Sequence, residues 1–146
     1  MSSTLVSQRG EFECAYVMSI DNSPSILHAH HYRVEVAVSG DQRLSDYGIV
    51  IEFDEFKRYI QDVLPDNAFL FNQCAGSTDP GNIIASKLQE MGIKTVPCLF
   101  NPSAENLAEF IAVQLQFILD RQAPGVTVVE VKLRETANSF ATWSLR

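Results

Sequence analysis

The spacing best suited to chemistry is His28-Ala29-His30, because side chains two apart on an extended strand project to the same side, where two imidazoles can chelate one metal ion. A catalytic zinc takes three protein ligands and keeps a fourth position open, so this pair is an incomplete site that needs another donor. His31 alternates to the opposite face and does not extend it. The cysteines add little. Cys14, Cys74 and Cys98 are odd in number, widely separated and without CxxC spacing, which fits small buried side chains in a reducing compartment better than a disulfide frame or a thiolate zinc site.

The elements that must position the histidines are two alternating stretches, Phe12 to Ser19 and His28 to Ser39. In the second, His28, His30, Tyr32, Val34, Val36 and Val38 share one face, and Ala29, His31, Arg33, Glu35 and Ala37 the other. The turn formers Asp21-Asn22-Ser23-Pro24-Ser25 between them predict a long hairpin. Phe53, Phe56, Tyr59, Ile60 and Val63 then recur at helical spacing until Pro65 stops them, with Asp54, Glu55, Lys57 and Arg58 left to solvent. After the short apolar run Ala68 to Phe71, Asp79-Pro80 opens a helix to Glu90 that Gly92 closes. Ile93 to Phe100 reads as a strand. Ser103 caps the longest helix, whose apolar stripe is Leu107, Phe110, Ile111, Leu115, Ile118 and Leu119. Pro124-Gly125 breaks that helix, and Val126 to Leu133 and Phe140 to Leu145 form a closing strand pair. This order predicts a single α+β domain over residues 1–146 with a mainly antiparallel sheet.

Charge narrows the partners. Acidic residues outnumber basic ones 18 to 11, for a net charge of -7, whereas nucleic-acid binding requires clustered Lys and Arg, so no nucleic acid is expected. No apolar run approaches the roughly 20 residues of a membrane span. Met1 to Gly10 lacks the layout of a secretory signal, and the expectation is a cytoplasmic protein with no membrane partner.

Six segments carry a more specific signal: Phe12-Glu13-Cys14-Ala15-Tyr16, His28-Ala29-His30-His31-Tyr32, Gly48-Ile49-Val50-Ile51-Glu52-Phe53, Asp66-Asn67, Asn101-Pro102-Ser103-Ala104-Glu105-Asn106 and Glu135-Thr136. In order and spacing they resemble the 6-pyruvoyl-tetrahydropterin synthase and 6-carboxy-tetrahydropterin synthase (queuosine pathway) family, whose motifs run F-x-A-x-H, H-G-H-x-Y, G-x-V-x-D-F, D-H, N-P-T-x-E-N and E-T. The resemblance implies the tunnelling fold: an antiparallel four-stranded sheet with helices packed on one face, assembling into an oligomeric barrel as a trimer or hexamer. It also implies a pterin-like small-molecule ligand and a zinc-dependent carbon-oxygen lyase step on dihydroneopterin triphosphate.

Position by position, the chain departs from that pattern. The family's three zinc histidines correspond to Tyr16, His28 and His30, so one imidazole has become a phenol and any zinc site is expected to be weakened. The loop that carries the family's cysteine base, Asp21 to Leu27 here, holds no Cys; Ser23 and Ser25 are poor substitutes, because a hydroxyl is not a general base near neutral pH unless a partner takes its proton, and Asp21 could in principle act as a base. The family's Asp-His relay reads Asp66-Asn67, and an amide has no titratable proton near neutral pH. Glu135 corresponds to the glutamate that grips the pterin's amino-pyrimidinone edge, with Thr136 beside it. Glu105 corresponds to a further substrate contact, in a first helical turn whose dipole favours an acid in any case. The resemblance thus places Asp66, Asn67 and Glu135 at catalytic positions. The alternatives are a non-catalytic or diverged pterin- or purine-binding protein, or an oligomeric scaffold with a vestigial site. The segment Asn72 to Phe100 is longer than in compact family members, long enough to cover or reshape a pocket.

Overall fold

The structure, a computed structural model, describes residues 3–18 and 25–146, so Asp21, Asn22, Ser23 and Pro24 of the predicted turn lie outside it. Strands β1 (Thr4–Met18) and β2 (Ile26–Gly40) make the expected hairpin, in register from Thr4 opposite Gly40 to Met18 opposite Ile26. Helix α1 (Phe53–Val63), strand β3 (Ala68–Asn72), helix α2 (Pro80–Glu90), strand β4 (Thr95–Cys98), helix α3 (Ala104–Gln122) and strands β5 (Thr127–Arg134) and β6 (Phe140–Ser144) follow. Local chemistry fixes the helix starts. The Ser103 side chain accepts from the Asn106 amide, and Asp79 accepts from Gly81 with Pro80 opening the first turn of α2.

Instead of the four-stranded antiparallel sheet expected from the sequence, the sheet has six strands in the order β4-β3-β1-β2-β5-β6 and is mixed, with only β1-β2-β5-β6 antiparallel. Strand β3 runs parallel to β1, and β4 parallel to β3. Parallel neighbours require a crossover, and α2 supplies it between β3 and β4.

One face of the sheet carries Phe12, Tyr32, Val34, Val36 and Leu133, which pack under Phe56 and Ile60 of α1 and Leu107, Ile111, Leu115 and Leu119 of α3. Burying each such side chain contributes about 1.5–3 kcal/mol, so this layer holds the hairpin flat beneath two helices. Phe53, predicted to belong to the apolar stripe of α1, is instead 64% exposed at the first helical position.

The expectation that all helices lie on one face also needs correction. Cys14 pairs with Ala68, Ala15 with Phe69 and Tyr16 with Leu70, so Phe69 projects to the opposite face from Leu70. It is buried there beside Leu88 of α2 and Ile93. Strand β3 is apolar on both sides and so needs cover on both, which α2 provides. The long segment after Asn72 therefore caps the β3 end of this second face. The rest of that face carries Arg9, Glu11, Glu13, His31, Arg33 and Glu35 without a helix over it. Among the described residues, no helix is long and apolar enough to cross a membrane.

Candidate functional site

The hairpin register sets Tyr16 opposite His28, Cys14 opposite His30 and Phe12 opposite Tyr32, all on the helix-covered face. The rings form a continuous row. Phe12 stacks on Tyr32 with centroids 4.9 Å apart, His30 lies 5.5 Å from Tyr32 and 5.9 Å from His28, and Tyr16 stacks on His28 at 4.9 Å with only 12° between planes. Tyr16 and His30 are 6.3 Å apart.

Strand β5 completes the row. Val34 pairs with Leu133, and two residues further the same alternation brings Glu135 alongside Tyr32. The Tyr32 hydroxyl donates to Glu135 Oε1 over a long 3.4 Å and lies beside the Tyr16 phenol. The amides of Glu135 and Thr136 both donate to the Ser139 carbonyl, which turns the chain back into β6 and fixes the carboxylate at the strand end. Tyr32 is the residue that motif reading passed over. Its signal was present, since it shares the parity of His28 and His30 and ends the same motif.

Burial sets the protonation of this row. It pushes the Tyr16 phenol above its ordinary value, partly offset by the neighbouring Tyr32 hydroxyl, and pushes Tyr32 far above it. The Cys14 thiol is pushed up to about 12, by burial first and then by the charges of Cys98, Asp66 and Glu135. Both phenols and this thiol are therefore neutral near pH 7.

The other sequence-derived residues do different work. Asp66 Oδ1 accepts from the Glu13 amide at 2.9 Å, and the Asn67 amide donates to the Glu13 carbonyl at 2.7 Å, so the pair clips the start of β3 to the edge of β1. Asn67 has φ +53°, a left-handed conformation that Asn tolerates better than most residues. Its side chain lines a groove on the second face with Glu13, His31 and Phe69. Thr136 Oγ1 accepts from the amides of Asn138 and Ser139 and so shapes the turn after Glu135. Glu105 is exposed in the first turn of α3, where its charge reaches Tyr16. Asp21 and Ser23 lie outside the described residues. His31 is on the second face as predicted, clamped between Glu13 at 3.0 Å and Glu11 at 3.1 Å.

The structure thus brings Tyr16, His28, His30, Tyr32 and Glu135 together and leaves Asp66, Asn67 and Thr136 in structural hydrogen bonds. For metal binding the geometry gives two imidazoles and one protonated phenol lying flat on one of them. Among the described residues, no group of three His, Cys, Asp or Glu is placed to hold an ion. Phe12, Tyr16 and Tyr32 are themselves buried, so what the row can present to a ligand is the half-buried rings of His28 and His30 beside one half-buried carboxylate.

Comparison with known proteins gives that arrangement a context. The profile of the 6-pyruvoyl tetrahydropterin synthase family matches residues 5–145. The chain is 29% identical over 144 residues to a 6-carboxy-5,6,7,8-tetrahydropterin synthase of Haemophilus influenzae, covering 94% of this chain and 96% of the relative. Among solved structures, the 6-pyruvoyl tetrahydropterin synthase of Plasmodium vivax superposes with a TM-score of 0.73 at 18% identity, and that of Plasmodium falciparum with 0.70 at 19%, each over 98% of both chains. An uncharacterised protein from Wolinella succinogenes gives 0.70 at 21% identity over the whole of both chains.

Proposed function

Because the chain belongs to the 6-pyruvoyl tetrahydropterin synthase family, we propose that it binds a pterin-type ring at Glu135 and has lost or altered the family's zinc-dependent lyase step. The observation that carries this reading is Glu135 itself, half-buried at the end of β5 and joined to the aromatic row through Tyr32. One carboxylate accepts two parallel N–H bonds from an amino-pyrimidinone edge, and charge-assisted bonds of this kind are about twice as strong as neutral ones. The accessible ring surface beside it is that of His28 and His30, held in place at small entropic cost by the buried Tyr16 and Tyr32.

The residues at the metal position do not fit catalytic zinc. A phenol must release its proton to become a strong ligand, burial opposes that release at Tyr16, and its ring is committed to the stack on His28. At most a weakened zinc site remains. The relay position carries an amide, and Asp66 is engaged with the Glu13 backbone, so the chain's own groups supply recognition but no proton shuttle. Assembly as a homo-oligomer, trimer or hexamer, belongs to the same proposal, supported by the unpaired outer edge of β6.

The test is titration of the purified protein with a pterin, followed by ligand fluorescence, beside a turnover assay on dihydroneopterin triphosphate. The expected result is saturable binding that weakens about tenfold or more in Glu135→Ala, with no turnover. Turnover at a rate typical of enzymes would favour the lyase instead, and binding indifferent to Glu135→Ala would remove the anchor.

A further inference from the structure

We propose that the second face of the sheet holds a separate site for a compact polyanion of the oligophosphate class, in a cavity of about 610 Å³ lined by Arg9, Arg33, Lys57, Lys132 and Arg134. The charge balance is the first argument. The chain has 18 acidic and only 11 basic residues, yet five of those bases line this one cavity. Two carboxylates share it, and both already have partners. Glu35 is held by Arg9 at 3.0 Å, and Glu11 by His31 at 3.1 Å and more loosely by Arg33 at 3.8 Å. Among the described residues, Lys57, Lys132 and Arg134 have no carboxylate partner.

Geometry is the second argument. Lys132 and Arg134 alternate with Leu133 and Glu135 along β5, so they project away from the Glu135 site. Both are braced on Phe140, with Lys132 Nζ 4.4 Å and Arg134 Cζ 5.0 Å from the ring centroid, which limits the ordering that binding requires. Gly10 leaves a gap in the β1 surface. A Cβ there would meet Val34 at 3.3 Å and Gln61 at 3.4 Å on the helix-covered side, so Lys57 and Gln61 of α1 line the cavity from the edge of β1, which β3 pairs only from Cys14 to Tyr16. Lysines and arginines on four elements around one concavity suit several phosphate oxygens better than one planar carboxylate.

Calorimetric titration of the full chain at low ionic strength with inorganic tripolyphosphate, pyrophosphate and orthophosphate tests this. The expected result is saturable binding that tightens with ligand charge and weakens about tenfold in each of Lys57→Gln and Lys132→Gln, while Glu135→Ala leaves it unchanged. Lys57 is a surface residue of α1, so its variant reports even if Lys132→Gln disturbs β5. No saturable binding, or binding unmoved by both lysine variants, would overturn the proposal. So would loss in Glu135→Ala, since the anion would then belong to the ring site.

Discussion

Replacing Tyr16 by His isolates what the phenol does to metal affinity. Its ordinary pKa of 10.0 is raised by burial, so at pH 7 the group lies at least about 3 units from ionisation, a cost of roughly 4 kcal/mol before any metal bond forms. An imidazole incurs no such cost near neutral pH. Tyr16→His is therefore expected to raise zinc affinity by about a thousandfold, less whatever is lost when the phenol ring leaves its stack on His28. The assay is competition against a chelator of known zinc affinity at pH 7, on wild type, Tyr16→His and Tyr16→Phe. Phe keeps a ring to stack on His28 but offers no donor, so it should bind no more zinc than wild type. Equal zinc affinity in wild type and Tyr16→His, or an equal gain in Tyr16→Phe, would refute the reasoning that proton release at position 16 limits the site.

Other outcomes follow from the same geometry. Of the three free cysteines, only Cys74 is exposed, so a thiol reagent at pH 8 should modify one thiol quickly, and Cys14 and Cys98, raised to about 12 and about 11, only on unfolding. His31 is raised above its ordinary 6.5 chiefly by Glu13, so any stability its charge contributes is complete below 6.5 and disappears as pH rises through the folded value. Its NMR titration midpoint should fall back toward 6.5 in Glu13→Gln. At Asn67, with φ +53°, Asn67→Val should lower stability by about 1–2 kcal/mol in denaturant unfolding, and Asn67→Gly should leave it nearly unchanged.

Much of this could be read from the chain, and the exceptions have physical causes. Alternation alone put His28, His30 and Tyr32 on one face, because a period of two fixes faces once a strand is recognised. The first half of β1 is hard to read as a strand because Thr4 to Glu11 is mostly polar and contains Gly10; its extended form is imposed by pairing with Arg33 to Gly40, not by propensity. The parallel strands and the placement of α2 were also hidden. Ile83 and Ile84 look like core residues, yet they are 51% and 36% exposed, and nothing in their spacing says which face of the sheet the helix covers. The reading of Glu135 as a ligand anchor rests on the family resemblance alone, and its place beside Tyr32 is visible only in the structure. A bulge between Ala37 and Val38 breaks the β2-β5 alternation, with Val128 and Val131 both buried, so parity cannot be counted across it.

Glu135 is the residue on which the account turns, and an experimental structure of the protein with a bound pterin tests it most directly. The account predicts the ring's amino-pyrimidinone edge within hydrogen-bonding distance of both Glu135 carboxylate oxygens, roughly 2.7–3.2 Å, with its plane near the half-buried His28 and His30. A pterin bound away from Glu135, or Glu135 still held by Tyr32 alone at ligand saturation, would contradict it.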